Sequence, residues 1–387
     1  MTDDLLIKLD NSYSLRLLED MIRINSIVGQ EGVLAEYLKN ELEALGMQCE
    51  MDEVEPGRPN VYSRLEGQAG QGRRLNFNGH TDTVPIVDGW ETDPFDPVIK
   101  DGKLYGLGAC DMKAGIACIL NMLRAFVESD HPFKGELSFS AVIDEEAYGK
   151  GAKAMLKTDY AKVDAIVLAE PFPGDDSKPI PLGITGKILY DIHVKGKAAH
   201  GFQPHYGVNA IEEMGKILAN LNKLDFKEHP DFGRGNYCTL KIEGGYEVYS
   251  VVVPAYARME INRLIVPGET VQTTVKDMER LVKSLDLTAE VKVKTKPPRY
   301  EAYVIDRNEP IVQVFDPVYR EVMGCPPQYG YTSGITDANI FAGEGSIPCL
   351  HLGPHQEVAH QKNEHVLLEW LPLVSKMYAL LAARFLG

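Results

Sequence analysis

The sequence predicts an α/β protein: a mainly parallel sheet flanked by helices, with a smaller ferredoxin-like α+β domain inserted into it. Three observations carry the prediction. At 387 residues the chain exceeds what one ordinary hydrophobic core organises, which favours two domains. Strand-like and helix-like periodicities alternate over residues 1–183 and resume at about residue 297, the rhythm of a helix-covered parallel sheet. Residues 184–296 instead follow the order β-α-β-β-α-β, the split βαβ arrangement. The predicted domains are therefore 1–183 with 297–387, and the insert 184–296.

Each element has its own signal. "YSLRLLEDMIRI" and "EGVLAEYLKNELEALG" have helical spacing; in the second, Leu34, Leu38, Leu42 and Leu45 recur on one face and Gly46 supplies the stop. "MQCEMDEV", "NVYSRLEG" and "RRLNFNG" read as strands, the last alternating Leu75 and Phe77 with Asn76 and Asn78. "AGIACILNMLRAFVES" is a strongly apolar helix, "ELSFSAVID", "DAIVLAE" and "IPCLHLG" are strands, and "LLEWLPLVSKMYALLAARFLG" is a closing helix. In the insert, "KILYDIHVKG", "NYCTLKIEGG", "VVVPAYARMEINRLIV" and "TAEVKVKTK" are strands. Between them lie two amphipathic helices, one carrying Ile211, Met214, Leu218 and Leu221, the other Val271, Val275, Met278, Leu281, Val282 and Leu285.

Composition narrows the function classes. A net charge of −16 argues against nucleic acid and anionic membranes as partners. The insert is nearly neutral, 16 basic against 14 acidic residues, so the acidity lies in the remainder, 24 against 42. No apolar run reaches the roughly 20 residues of a membrane span, and the acidic start "MTDDLLIKLDNS" lacks a signal-peptide core, which predicts a cytoplasmic protein. The six cysteines show no C-x-x-C spacing and read as reduced core thiols.

Five places share one feature: a strand ends and an acid or histidine follows at once. They are His80 with Asp82, Asp111 in "YGLGACDMKAG", Glu145 with Glu146, Glu170, and His360 in "GPHQEVAHQKNEHV". Each has an ordinary explanation. Asp111 could cap a helix, Glu145 and Glu146 could be acids favoured by a helix N-terminus, and the others could be loop polars. Open α/β sheets, however, form their sites outside the carboxyl ends of strands, where residues remote in sequence meet. Two histidines with three or four carboxylates suit two Zn²⁺-like ions, a carboxylate bridging the pair. Asp82 is then expected to accept the other ring N–H of His80 and fix its tautomer.

"NGHTDTVP", "YGLGACDMKAGIA", "DEEAYGKGA", "LAEP", "GKAAHGFQPHYGVNAI", "GITDA" and "AHQKNEHV" resemble, in order over about residues 60–370, the motifs of co-catalytic metallohydrolases typified by acetylornithine deacetylase, succinyl-diaminopimelate desuccinylase, aminoacylase and carboxypeptidase G. The resemblance implies a zinc-peptidase-like catalytic domain and a lid that also dimerises. It implies two divalent ions per chain, zinc favoured and cobalt or manganese possible. Asp111 would bridge them, His80 and Glu170 would hold one, and Glu146 and His360 the other. It further implies Glu145 as general base, Asp82 as the orienting acid, and His200 as oxyanion stabiliser reaching across a homodimer. Gly334 and Asp337 match a loop facing the site. His193 and His351 read as satisfied core histidines; His131, His205, His229 and His365 have no clear role, and His355 rivals His360 as ligand.

One stretch departs from the pattern. Where relatives place a substrate-carboxylate arginine, "EINRLIVPGE" places Leu264, with Arg263 on the other strand face, and Val251 stands where an asparagine is expected. Arg258 or Arg263 could substitute through a bulge, or the substrate could lack that carboxylate. The expected activity is hydrolysis of the amide bond of an N-acyl amino acid. The alternatives are a dipeptidase or aminopeptidase of the same fold, and a non-catalytic acyl-amino-acid binding protein.

Overall fold

Leu75 and Phe77 are fully buried on one side of strand Arg74–His80, and Asn76 and Asn78 are equally buried on the other. The alternation seen in the sequence is therefore not a wet face. Asn76 donates to the Ser138 hydroxyl (3.0 Å) and accepts from Ser140 (2.8 Å), and Asn78 donates to the Ser140 hydroxyl (2.8 Å). Buried amides are tolerated there because neighbouring hydroxyls satisfy them. Opposite, the Phe77 ring meets Tyr378 edge-on at 5.0 Å; burying a ring of this size contributes about 1.5–3 kcal/mol.

The computed structural model describes residues 2–129, 131–354 and 358–387. The chain divides into two compact units: 1–182 with 305–331 and 336–387, and 183–304 with 332–335. In the first, a six-stranded sheet runs in the order Cys49–Glu55, Arg58–Glu66, Glu136–Val142, Arg74–His80, Ala165–Leu168, Cys349–His351. The last four are mutually parallel (Leu75 opposite both Leu137 and Ala165) and the first two join antiparallel. The parallel strands thus end together, and His80, the Glu145–Glu146 turn and Glu170 leave from that one edge. Helix Gly32–Ala44 packs on the antiparallel pair, and Trp370–Leu386 lies between Ala114–Ser129 and Pro310–Met323. Helix Pro310–Met323 has no counterpart in the predicted elements; Pro317 sits inside it.

The second unit is a four-stranded antiparallel sheet in the order Asn236–Gly244, Tyr256–Ile265, Gly186–Lys195, Glu290–Tyr300. Helices Ala210–Ala219 and Val271–Ser284 cover one face, closing a core that includes Ile188, Ile192, Met214, Met259, Ile261 and Met278. Asn209 caps the first helix and a Thr270–Thr273 capping box starts the second. The strand predicted from Val251 begins only at Tyr256, after Pro254, which has no ladder donor. Among the described residues no helix is long and apolar enough to cross a membrane.

Candidate metal centre

His80 ends its strand with both ring nitrogens engaged: Nδ1 lies 2.9 Å from the Asp82 carbonyl and Nε2 lies 3.1 Å from Asp111 Oδ1. Asp111 sits in an irregular turn behind the left-handed Gly108, and its carboxylate faces His80 (3.1 Å) and His360 (3.4 Å). Asp144, itself at φ 69°, turns the chain after Val142 and presents Glu145 and Glu146. Glu170 follows strand Ala165–Leu168 and lies 4.0 Å from His80 Nε2. His360 Nε2 is 2.8 Å from Glu146 and 3.4 Å from Asp111. Donor atoms of His80, Asp111 and Glu146, and again of His80, Glu145 and Glu170, fall within 4.8 Å of one another. All five places singled out in the sequence therefore come together, although Asp111 lies six residues past strand Lys103–Tyr105 and His360 nine past Cys349–His351 rather than at strand ends.

Electrostatics give the cluster a demand for cations. Burial, reinforced by the Glu170 charge, pushes Glu145 well above the carboxylate range. Burial with the Asp111 charge lifts Glu170 to about 8, and burial lifts Asp337 to about 7 and Asp82 to about 6. The histidines respond in kind. Burial alone would lower His80, yet the hydrogen bond to Asp111 and the charges of Glu145, Asp82 and Asp111 carry it well above its ordinary value. Hydrogen bonds to Asp111 and Glu146 raise His360 to about 10. Burial opposes ionisation of Asp111, but hydrogen bonds from His360 and His80 hold it low. Both Nε2 atoms face carboxylate oxygens, His80 at 3.1 Å from Asp111 and His360 at 2.8 Å from Glu146. This mixed N/O donor set fits zinc-like ions.

Several expectations need correcting. The Asp82 carbonyl, not its carboxylate (3.8 Å), is the nearer partner of His80 Nδ1. The carboxylate instead accepts the backbone N–H groups of Glu145 (3.1 Å) and Glu146 (2.9 Å), so it holds the acid pair. His200 is exposed in the second unit, five residues beyond the end of strand Gly186–Lys195, and bridged to Val252. Arg263 is not free to read a substrate. It is fully buried, pairs with Glu269 at 2.6 Å and lies over Phe226. Arg258 is committed to Asp191 (2.6 Å) and Glu260 (2.9 Å), and its strand pairs with Gly186–Lys195 without a bulge. His193 is a half-buried partner of Asp191 (3.1 Å) rather than a core residue, whereas His351 is fully buried against the Thr336 hydroxyl (2.9 Å). All six cysteines are free, but Cys238 and Cys325 are exposed. His355 lies outside the described residues.

The supports of the site were not singled out in the sequence. Arg58 donates to Glu31 (2.8 and 2.6 Å) and to Asp144 (2.9 Å), bracing the turn before Glu145 from behind. Glu364, at 1% exposure, accepts the N–H groups of Gly108, Cys110 and Asp111. Lys113 donates to the carbonyls of Met21 (2.9 Å) and Ile24 (3.0 Å).

The chain is 32% identical over 336 residues to a succinyl-diaminopimelate desuccinylase of a Nitratiruptor species, covering 83% of this chain and 86% of the relative. It is 30% identical to the desuccinylase of the same name from a Sulfurovum species, covering 83% and 85%. The crystal structure of aminopeptidase PepT from Bacillus cereus superposes with a TM-score of 0.77 at 22% identity, over 98% of this chain and 100% of the other, and so shares the fold. The profile of peptidase family M20/M25/M40 matches residues 76–384. The chain belongs to that family, and is a metallohydrolase acting on C–N bonds.

Proposed function

We propose that the protein hydrolyses the amide bond of an N-acyl amino acid, using two divalent ions held by its strand-end residues. The observation that carries this reading is the convergence on His80 of Asp111, Glu146, Glu145 and Glu170 at one sheet edge. The names of the relatives at 30–32% identity favour an acyl-amino acid over a peptide. His80 and Glu170 would hold one ion, Glu146 and His360 the other, with Asp111 between them; zinc is preferred by the ligand types. When bound, the pair would polarise the amide carbonyl and acidify the attacking water.

The chain's own residues do the rest. Glu145 takes the proton of the attacking water on a carboxylate oxygen and returns it to the departing amine nitrogen as the C–N bond breaks. Burial makes that carboxylate a strong base once ionised, and cations beside it would keep it ionised. Asp82, through its two amide contacts, fixes where the Glu145 oxygens point. His200 would donate to the carbonyl oxygen from a second copy, in a homodimer formed through the inserted lid at 184–296; residues 1–183 with 297–387 would form the metal-binding domain. The substrate is a small molecule met in the cytoplasm.

The test is amine release by zinc-loaded protein from N-acetyl amino acids, N-succinyl amino acids and dipeptides in parallel. Turnover of an acyl-amino acid well above any dipeptide is expected. Turnover of peptides alone would favour the dipeptidase alternative, and no turnover of any amide would overturn both.

A further inference from the structure

The Glu364 carboxylate sits in a cradle of three backbone N–H groups: Gly108 at 3.0 Å on Oε2, and Cys110 at 2.9 Å and Asp111 at 3.0 Å on Oε1. These donors belong to the irregular turn that carries Asp111. Such a run of amides is an anion site, and here the chain fills it with its own side chain, 1% exposed. The Glu364 carbonyl closes the contact further by accepting from Gly106 N. Four residues earlier the same segment carries His360, whose Nε2 lies 3.4 Å from Asp111. The far end of the turn is pinned separately, by Lys113 on the carbonyls of Met21 and Ile24. One acid therefore ties the turn that aims Asp111 to the segment that presents His360.

We infer that Glu364 is a positioning residue of the metal centre, setting the reach of Asp111 and His360 towards a shared pair of ions. The inference rests on the proposed metal-binding reading. Substitution chemistry makes it specific. Glu364→Gln keeps the size but replaces one acceptor oxygen by a donor, so at least one of the three amides faces an N–H. Glu364→Asp keeps the charge but withdraws it by about 1.5 Å, beyond hydrogen-bond reach of amides now at 2.9–3.0 Å. Neither change touches an expected ligand atom.

The experiment is Co²⁺ titration of metal-stripped full-length protein, read by calorimetry and by visible absorption, for wild type, both Glu364 variants and Leu381→Ala. Leu381 is fully buried in helix Trp370–Leu386 and belongs to neither loop, so its variant reports the effect of lost stability. Wild type should bind two equivalents. Both Glu364 variants should bind at least one of them about 10–100-fold more weakly and show an altered absorption band, while Leu381→Ala keeps wild-type affinity and spectrum. Glu364 variants that match wild type in affinity and spectrum overturn the positioning role and leave the metal reading standing. Equal weakening in Leu381→Ala makes the effect one of stability, which also overturns it. Wild type that takes up no Co²⁺ overturns the metal reading and this inference together.

Discussion

Replacing Arg58 by Met should cost both stability and turnover. The guanidinium spans two buried carboxylates, Glu31 at 0% and Asp144 at 1% exposure, and its own side chain is 12% exposed. Removing the cation leaves both acids in place without it. Breaking a buried pair from one side costs about 3–5 kcal/mol; the lower end applies because Lys150 remains near Asp144. A loss of about 3 kcal/mol lowers the melting temperature of a chain of this length by roughly 4 °C. The catalytic effect follows from Asp144. It holds a left-handed turn at φ 69° one residue before Glu145, and its carbonyl accepts Gly149 N at 2.7 Å. A turn released from Arg58 lets the Glu145 oxygens drift. A displacement of about 1 Å costs on the order of 10²-fold in rate, so kcat should fall by about 10–10²-fold with KM changing less. Arg58→Lys should recover only part of both, since a single ammonium cannot reproduce the fork. Thermal melts and steady-state kinetics on the zinc-loaded variants make the comparison. Arg58→Met with wild-type melting temperature and kcat would refute the bracing role.

The remaining predictions concern single groups. Glu145→Gln should keep both ions and lose about 10²–10⁴-fold in kcat, whereas Glu146→Gln should weaken one ion and recover activity with excess zinc; metal analysis beside kcat decides whether these roles are reversed. Burial and the Lys178 charge lower His351 to about 3 from its ordinary 6.5, so as pH falls the unfolded chain protonates first and the stabilisation, complete above pH 6.5, drains away towards pH 3. Between pH 7 and 5 this imidazole should remove about 2 kcal/mol of unfolding free energy, and urea melts of His351→Gln should show a shallower slope in that window; an unchanged slope would sink the assignment.

His80, Glu145, Glu146 and Glu170 were legible in the sequence because they follow strands of the parallel sheet, whose carboxyl ends lie together whatever lies between them; Asp111, six residues past strand Lys103–Tyr105, and His360, nine past His351, reach the cluster from longer loops. The β-α-β-β-α-β insert was legible for a similar reason: its alternation and its two amphipathic faces are local. What escaped depends on partners remote in sequence. Glu364 is 253 to 256 residues from the amides it accepts, and Arg58 is 86 from Asp144; neither has a local spacing signal. The Asp82 carboxylate was expected on His80 because two residues separate them, but the backbone carbonyl reaches Nδ1 first and frees the carboxylate for amides 63 and 64 residues away. Arg263 shows the opposite error. Its alternating position puts it on the helix-covered face, where Glu269 neutralises it, so its charge suggested availability that burial denies.

The central claim, that amide hydrolysis depends on two ions held at the His80 edge of the sheet, is tested most directly by adding zinc to metal-stripped protein. Bound metal and amine release from an N-acyl amino acid are followed in the same samples. The account predicts saturation at about two ions per chain with release appearing as they bind. Saturation at a single ion, or a fully loaded chain that cleaves no acyl-amino acid or peptide, would contradict it.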